Sequence, residues 1–275
     1  MLFSIDSTGQ QTNTNPFIIS NFIYDDSSMR NHINEQSIKM YEENNFTRFN
    51  SLISRTNIKS TSSKKSKENG SKENVFNYNE SRESVLILSI LYLCDKCPNF
   101  HTTIASGFLI SDDGLCVSNH HVFSQNKKKE SQNLAVFAFD YKGNAYPVTQ
   151  VISSDKGKDL TVFRIQAKKQ LTSLPLKTSN AKIGDDINVI SHPFGEFYTY
   201  SSGEITRFYM NKKDKSLRAS ISADFARGSS GAPVINTKGE VIGVVSSTHA
   251  LNAQTDNQMV VKSIIPVSEL YNMIP

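Results

Sequence analysis

Cysteine is scarce in this chain of 275 residues: Cys94, Cys97 and Cys116 are the three present. That is too few for a disulfide framework. Cys94 and Cys97 have CxxC spacing, but no second pair follows. His101 and Cys116 could supply a third and a fourth zinc ligand. Cys116, however, falls inside an apparent strand, so the preferred reading is a thiol-bearing turn between two strands, with no metal and no cofactor. No run of about 20 apolar residues is present, which excludes a membrane-spanning helix. Met1-Leu2-Phe3-Ser4-Ile5-Asp6 lacks the basic start and long apolar core of a secretory signal. This favours a cytoplasmic protein, or an exported one if the N-terminus is incomplete. Strong charge of either sign is also missing. A net charge of +4 suits a soluble protein and makes no case for nucleic acid. The local run Lys127-Lys128-Lys129 reads as a solvated loop, with attraction of acidic substrates as the alternative.

What is there divides unevenly. Residues 1–83 are rich in Asn, Ser, Lys and Glu, and Lys59 to Glu73 has too little apolar surface to offset chain entropy. This part is expected to be an N-terminal extension, largely flexible. Asn15 to Tyr24 is apolar enough to dock, and Ile33 to Phe49, carrying Ile38, Tyr41 and Phe46, is a candidate short amphipathic helix. From Ser84 the pattern changes to short strands. Val85–Leu93, Ala105–Ile110, Leu115–Ser118, Leu134–Asp140, Ala145–Val151 and Leu160–Ile165 precede a linker near Ala167–Thr178. Asp186–Ser191, Thr199–Phe208, Leu217–Ser220, Ala232–Asn236, Val241–Ser246 and Met259–Pro266 follow it, with Val267–Met273 as a short closing helix. Many short strands with regular turn signals make an all-β protein of barrels or sandwiches.

Three segments carry chemistry. In Arg227-Gly228-Ser229-Ser230-Gly231-Ala232-Pro233-Val234 a serine is boxed by glycines. Such a turn can present a hydroxyl and two backbone N–H groups to one point, as acyl transfer requires. On its own it reads equally as tight backbone geometry. Gly107 to Val122 reads as strand, Asp-Gly turn, strand, ending in His120 and His121. A histidine there suits a general base, or is simply a solvated strand end. Lys158-Asp159-Leu160-Thr161-Val162-Phe163-Arg164-Ile165 opens an alternating strand with an aspartate, which could orient an imidazole or be an ordinary surface charge.

With the order His121, Asp159, Ser230, the chain resembles the trypsin-like serine peptidases, and within them the bacterial HtrA-like branch. SGFLISDDGLCVSNHHV, DLTVFRI, HPFG followed by SSGEIT, GSSGAPVINTKGEVIGVVS and the closing SIIPVSEL carry the resemblance, which runs from about Ser84 to the C-terminus. The first third has no counterpart. The resemblance implies two six-stranded antiparallel β-barrels, the first over about 84–166 and the second over about 179–275, preceded by a poorly structured N-terminal extension. It also implies a serine endopeptidase acting on protein or peptide through an acyl-enzyme. A catalytically silent peptide-binding module on the same fold is the alternative. His121, rather than His120, takes the place of the base, Asp159 that of the orienting carboxylate, with Asp155 a weaker candidate, and Ser230 that of the nucleophile. The N–H groups of Gly228 and Ser230 take the place of the oxyanion hole.

The chain departs from the pattern at Ala232, often Gly, and at Ser229, often Asn or Asp. Ser229 cannot pair with a newly cut N-terminus, so zymogen activation of the trypsin type is not expected. Counting back six from Ser230 makes Asp224 a candidate pocket carboxylate for Lys or Arg. The HtrA-like layout puts Phe225 in the pocket wall instead and favours small or medium apolar side chains. Ser246 to Thr248 follow the strand that would pair with an extended substrate. His192 reads as structural. The chain stops at Pro275, just after SIIPVSEL, which leaves no room for an HtrA-like domain that binds C-terminal peptides.

Overall fold

The computed structural model describes residues 4–5, 11–12, 17–20, 23–53, 75–94, 96–124, 131–178, 181–253 and 256–275. Lys59 to Glu73 and Lys127 to Lys129 lie outside the described residues. Twelve strands form the body: β1 Val85–Cys94, β2 Phe100–Leu109, β3 Leu115–Ser118, β4 Ser131–Phe139, β5 Ala145–Asp155, β6 Leu160–Ile165, β7 Asp186–Ser191, β8 Thr199–Met210, β9 Leu217–Ile221, β10 Pro233–Asn236, β11 Val241–Ala253 and β12 Asp256–Pro266. All pair antiparallel and close into two six-stranded barrels. Around the first the order is β1-β2-β3-β6-β5-β4. Around the second it is β7-β8-β9-β12-β11-β10, the same path repeated. Closure removes the exposed strand edges that an open sheet would leave.

β1 shows how the sequence produces this packing. Residues 85–91 are apolar almost without a break and all are buried. Leu86, Leu88 and Ile90 point into the first barrel with Val148 and Phe163. Val85, Ile87 and Leu91 point the other way, against Met29, Ile33 and Met40. A strand covered on both faces has no polar face to show, so alternation disappears. The one polar residue, Ser89, faces outward and shares a hydrogen bond with Ser37 at 2.9 Å.

The cover is helix α1, Asp26–Glu42, capped by Asp25, whose carboxylate accepts the Ser28 N–H at 2.9 Å. It starts earlier than the helix expected in Ile33 to Phe49 and carries Met29, Ile33, Ser37 and Met40 on its buried face. Phe49 and Leu52, in the short helix α2 (Phe49–Ile53), are buried against the first barrel as well. Helices α1 and α2 of the extension are therefore packed onto the first barrel. Between the barrels, Phe108, Leu115, Val117, Leu160 and Val162 meet Ile235, Val241, Val244 and Ile265. The chain closes with two 3-10 turns, Val267–Glu269 and Tyr271–Met273, in place of one continuous helix. Val267, Leu270 and Met273 seal the interface from below.

Candidate active site

The site is assembled where the barrels touch. β3 ends at Ser118, and His121 follows in a 3-10 turn, His120–Phe123. Asp159 immediately precedes β6, which pairs with β3 in the register Thr161 to Ser118. The strand pairing thus brings His121 and Asp159 together. His121 Nδ1 lies 3.0 Å from each Asp159 carboxylate oxygen, and the His121 backbone N–H donates to Oδ1 at 3.1 Å. Asp159 has φ +60°, a left-handed conformation uncommon outside glycine, and the Asn119 side-chain amide holds its carbonyl at 3.0 Å.

The second barrel contributes Ser246, which is buried. Its hydroxyl donates to Asp159 Oδ2 at 2.9 Å. Its carbonyl accepts the Ser230 hydroxyl at 3.5 Å. One residue therefore touches both the His121–Asp159 pair and Ser230. The Ser230 hydroxyl makes this bond and none to His121. Burial alone would raise the Asp159 carboxyl. The His121 hydrogen bond and charge, then the Ser246 hydroxyl, outweigh it and hold the group below the ordinary carboxylate value. The aspartate is thus an anion beside an imidazole whose Nδ1 is committed to it, leaving Nε2 to act as a proton acceptor.

Ser230 is presented by a turn with two left-handed glycines. Gly228 has φ +103°, and a Cβ there would lie 2.3 Å from the His192 carbonyl. Gly231 has φ +87°, and a Cβ there would lie 2.2 Å from Ser118 Oγ and 2.3 Å from the Ser106 carbonyl. Only glycine fits either position. The first barrel grips the turn: Ser106 N–H donates to the Ser230 carbonyl and Ser106 Oγ to the Gly228 carbonyl, both at 2.9 Å. Phe194 N–H donates to the Arg227 carbonyl at 2.6 Å. That bond fixes the Arg227–Gly228 peptide, so its N–H points away from Phe194. Among the described residues the N–H groups of Gly228 and Ser230 donate to no acceptor.

The remaining candidates sort by geometry. His120 turns away and bonds Ser154 Oγ at 2.8 Å; burial lowers its pKa. Asp155 accepts the N–H groups of Gly157 at 2.8 Å and Lys158 at 3.0 Å, a turn role. Ser229 is buried and accepts the Ser191 hydroxyl at 2.9 Å. His192 is fully buried, accepts Tyr198 N–H on Nδ1 at 3.1 Å, and has its pKa pushed down to about 3 by burial. Its buried Nε2 has no hydrogen-bond partner among the described residues. Asp224 is corrected: its side chain is 87% exposed and ion-paired with Lys262, so it is no buried pocket carboxylate. Phe225 is nearly buried and joins the core of the second barrel. Thr248 is exposed on β11 opposite Lys262, past the stretch of β11 that pairs with β10. The Ser246 hydroxyl is committed to Asp159. Asn119, Ser106 and Ser118 position the site without having been singled out in the sequence; their only signal was proximity to the histidine and serine motifs.

Comparison with known proteins agrees with this architecture. The profile of the trypsin-like peptidase domain matches residues 105–244, half of the chain and both sides of the crevice. The chain belongs to that family. It is similar to serine protease HTRA1 of Xenopus tropicalis, 29% identical over 146 residues, 50% of this chain and 30% of that protein. It is also similar to a probable periplasmic serine endoprotease, DegP-like, of Hahella chejuensis, 30% identical over 155 residues, 55% of this chain and 31% of that protein. Mitochondrial serine protease HTRA2 of Bos taurus is 30% identical over 148 residues, 50% of this chain and 30% of that protein. The chain thus matches about a third of the length of these relatives.

Proposed function

We propose that the protein is a serine endopeptidase that hydrolyses peptide bonds through an acyl-enzyme, with His121 as base, Asp159 as orienting anion and Ser230 as nucleophile. Residues 84–275 form the peptidase domain and 1–83 its extension. The observation that carries the reading is Ser246, whose two polar groups tie Ser230 to the His121–Asp159 pair across the barrel interface. In the reaction the Ser230 hydroxyl turns from the Ser246 carbonyl to His121 Nε2. The imidazole accepts the proton as Oγ attacks, and Asp159 stabilises the imidazolium. The developing oxyanion is met by the N–H groups of Gly228 and Ser230, which donate to no acceptor among the described residues. The imidazolium then protonates the leaving amine, and water repeats the sequence to release the acid.

Substrate adds as an extended strand to β11 near Ser246–Thr248, beyond the reach of β10. Because Asp224 is exposed and neutralised by Lys262, the side chain before the cut is small or medium and apolar. The test is labelling by a fluorophosphonate, together with digestion of an unfolded protein. Wild type should label at one site and cut. Ser230→Ala should do neither, with turnover lower by about 10⁴ to 10⁶-fold. A well-folded wild type that binds peptides but neither labels nor cuts would favour the silent peptide-binding module.

A further inference from the structure

Two of the three cysteines and one of the six histidines meet at one point. Cys94 ends β1, Cys97 lies in the turn that follows, and His101 is the second residue of β2. The β1–β2 register sets Tyr92 opposite His101, which folds the turn back over the histidine. Cys94 Sγ and Cys97 Sγ are 3.5 Å apart, and His101 Nε2 is 3.3 Å from the first and 3.0 Å from the second. A disulfide would need about 2.05 Å, so these are two free thiols. Around a tetrahedral zinc with Zn–S of about 2.3 Å and Zn–N of about 2.05 Å, ligand atoms sit about 3.8 Å (S to S) and about 3.6 Å (S to N) apart. All three separations fall within about 0.6 Å of those edges. The Tyr92 ring stacks on His101, with centroids 5.4 Å apart and planes at 27°, and fixes the imidazole plane. All three ligands are partly exposed, so an ion can enter.

We infer that Cys94, Cys97 and His101 form a zinc site with three protein ligands and a fourth position open to water, closing the tip of the β1–β2 hairpin. Two thiolates and a neutral imidazole balance the charge of the ion, and the two thiol protons pass to solvent on binding. Thiolate with imidazole selects zinc over magnesium or calcium. Cys116 is not a fourth ligand: it is buried in the first barrel with its thiol toward the Gly114 carbonyl. No other His, Cys, Asp or Glu joins the group among the described residues. The hairpin also walls one side of a cleft of about 250 Å³ through Tyr92, Thr102 and Ile104, facing Phe194 and Gly228. The metal therefore stiffens the crevice wall next to the peptide that faces the oxyanion.

The experiment uses the untagged full chain, purified under reducing conditions, with metal content measured by mass spectrometry and by cobalt(II) titration. About one zinc per chain is expected, and the cobalt form should show thiolate-to-metal charge transfer and the strong visible bands of four-coordinate cobalt. Cys94→Ser and Cys97→Ser should lose both signals, His101→Ala should weaken metal binding at least tenfold, and Cys116→Ser should retain them. Chelation of the wild type should lower Tm by about 2–4 °C. Should the ligand variants fold poorly, competition between reduced wild type and a chromophoric zinc indicator reports affinity without them. A reduced, folded wild type that takes up no zinc overturns the inference. So does zinc that survives Cys94→Ser and Cys97→Ser, or a Cys94–Cys97 disulfide that reductant and zinc together do not convert.

Discussion

Ser246→Ala tests the link on which the site depends. The substitution removes one hydroxyl from a buried position and leaves the backbone carbonyl that accepts from Ser230. What is lost is the 2.9 Å bond to Asp159 Oδ2. A hydrogen bond to a charged group is worth about 1.5–3 kcal/mol. The Asp159 side chain is 20% exposed, so water recovers part of this and the lower end applies. About 1.4 kcal/mol is a factor of about ten in rate. The carboxylate, freed on one side, holds the imidazole less firmly, and its pKa moves up because one of the bonds holding it down is gone. The rate of fluorophosphonate labelling should therefore fall about tenfold. Ser246→Thr keeps a hydroxyl and should recover most of the rate. If Ser246→Ala, folded and fully titratable, labels within about twofold of wild type, the bridge contributes nothing and the argument from Ser246 fails.

The other predictions concern stability. Gly231→Ala combines a left-handed φ of +87° with a Cβ at 2.2 Å from Ser118 Oγ. It should cost about 2–5 kcal/mol in denaturant unfolding, and a loss under about 1 kcal/mol would mean that the turn relaxes freely. His192 has a folded pKa of about 3 against an ordinary value of 6.5. Below pH 6.5 the unfolded chain takes up a proton that the folded chain refuses, so stability falls with pH by about 1.4 kcal/mol per unit from this residue until about pH 3. Urea midpoints between pH 7 and 5 should show this slope, and His192→Gln should flatten it. Asp159, held low, adds its own loss only below its ordinary value of 3.8.

Much of the barrel was legible because each short strand carries its own apolar pattern between turns. Leu115–Ser118, Leu160–Ile165 and Asp186–Ser191 coincide with β3, β6 and β7. Strand ends that run past the apolar pattern were not legible: β11 continues to Ala253 as a ribbon paired with β12. Helix α1 was misplaced because its buried stripe, Met29, Ile33, Ser37 and Met40, contains a serine whose partner, Ser89, is on a distant strand. The contact from Ser246 to Asp159 was not legible because strand alternation fails there: the register shifts between Val245 and Ser247, and a bulge re-aims a side chain without any mark in the sequence. Asp224 was found by counting along a loop. Its fate depends on Lys262, a neighbour only across the barrel. In the β1–β2 turn the CxxC spacing was visible, but convergence with His101 is a property of hairpin register.

The first third of the chain is coupled to the Arg227–Gly228 peptide through the loop between β7 and β8. Phe194 and Tyr198 there have φ of +52° and +59°, conformations that cost about 1–3 kcal/mol each for a residue with a Cβ. Such strain persists only where neighbours over-determine it, and most of those neighbours come from residues before Ser84. Asp26 accepts the Phe197 N–H at 2.9 Å, Arg30 donates to the Phe194 carbonyl at 3.0 Å, and Tyr78 donates to the Tyr198 carbonyl at 2.8 Å. Tyr24 stacks on the Tyr198 ring at 5.5 Å. The loop then returns one bond to the site, from Phe194 N–H to the Arg227 carbonyl, which sets the direction of the Gly228 N–H. α1 rests on the first barrel through Met29, Ile33 and Met40 while its first turns hold a loop of the second. The helix, the strained loop and the Gly228 peptide therefore form one mechanical unit, and a chain without α1 would hold Phe194 without the Arg30 bond and leave the Phe197 N–H without Asp26.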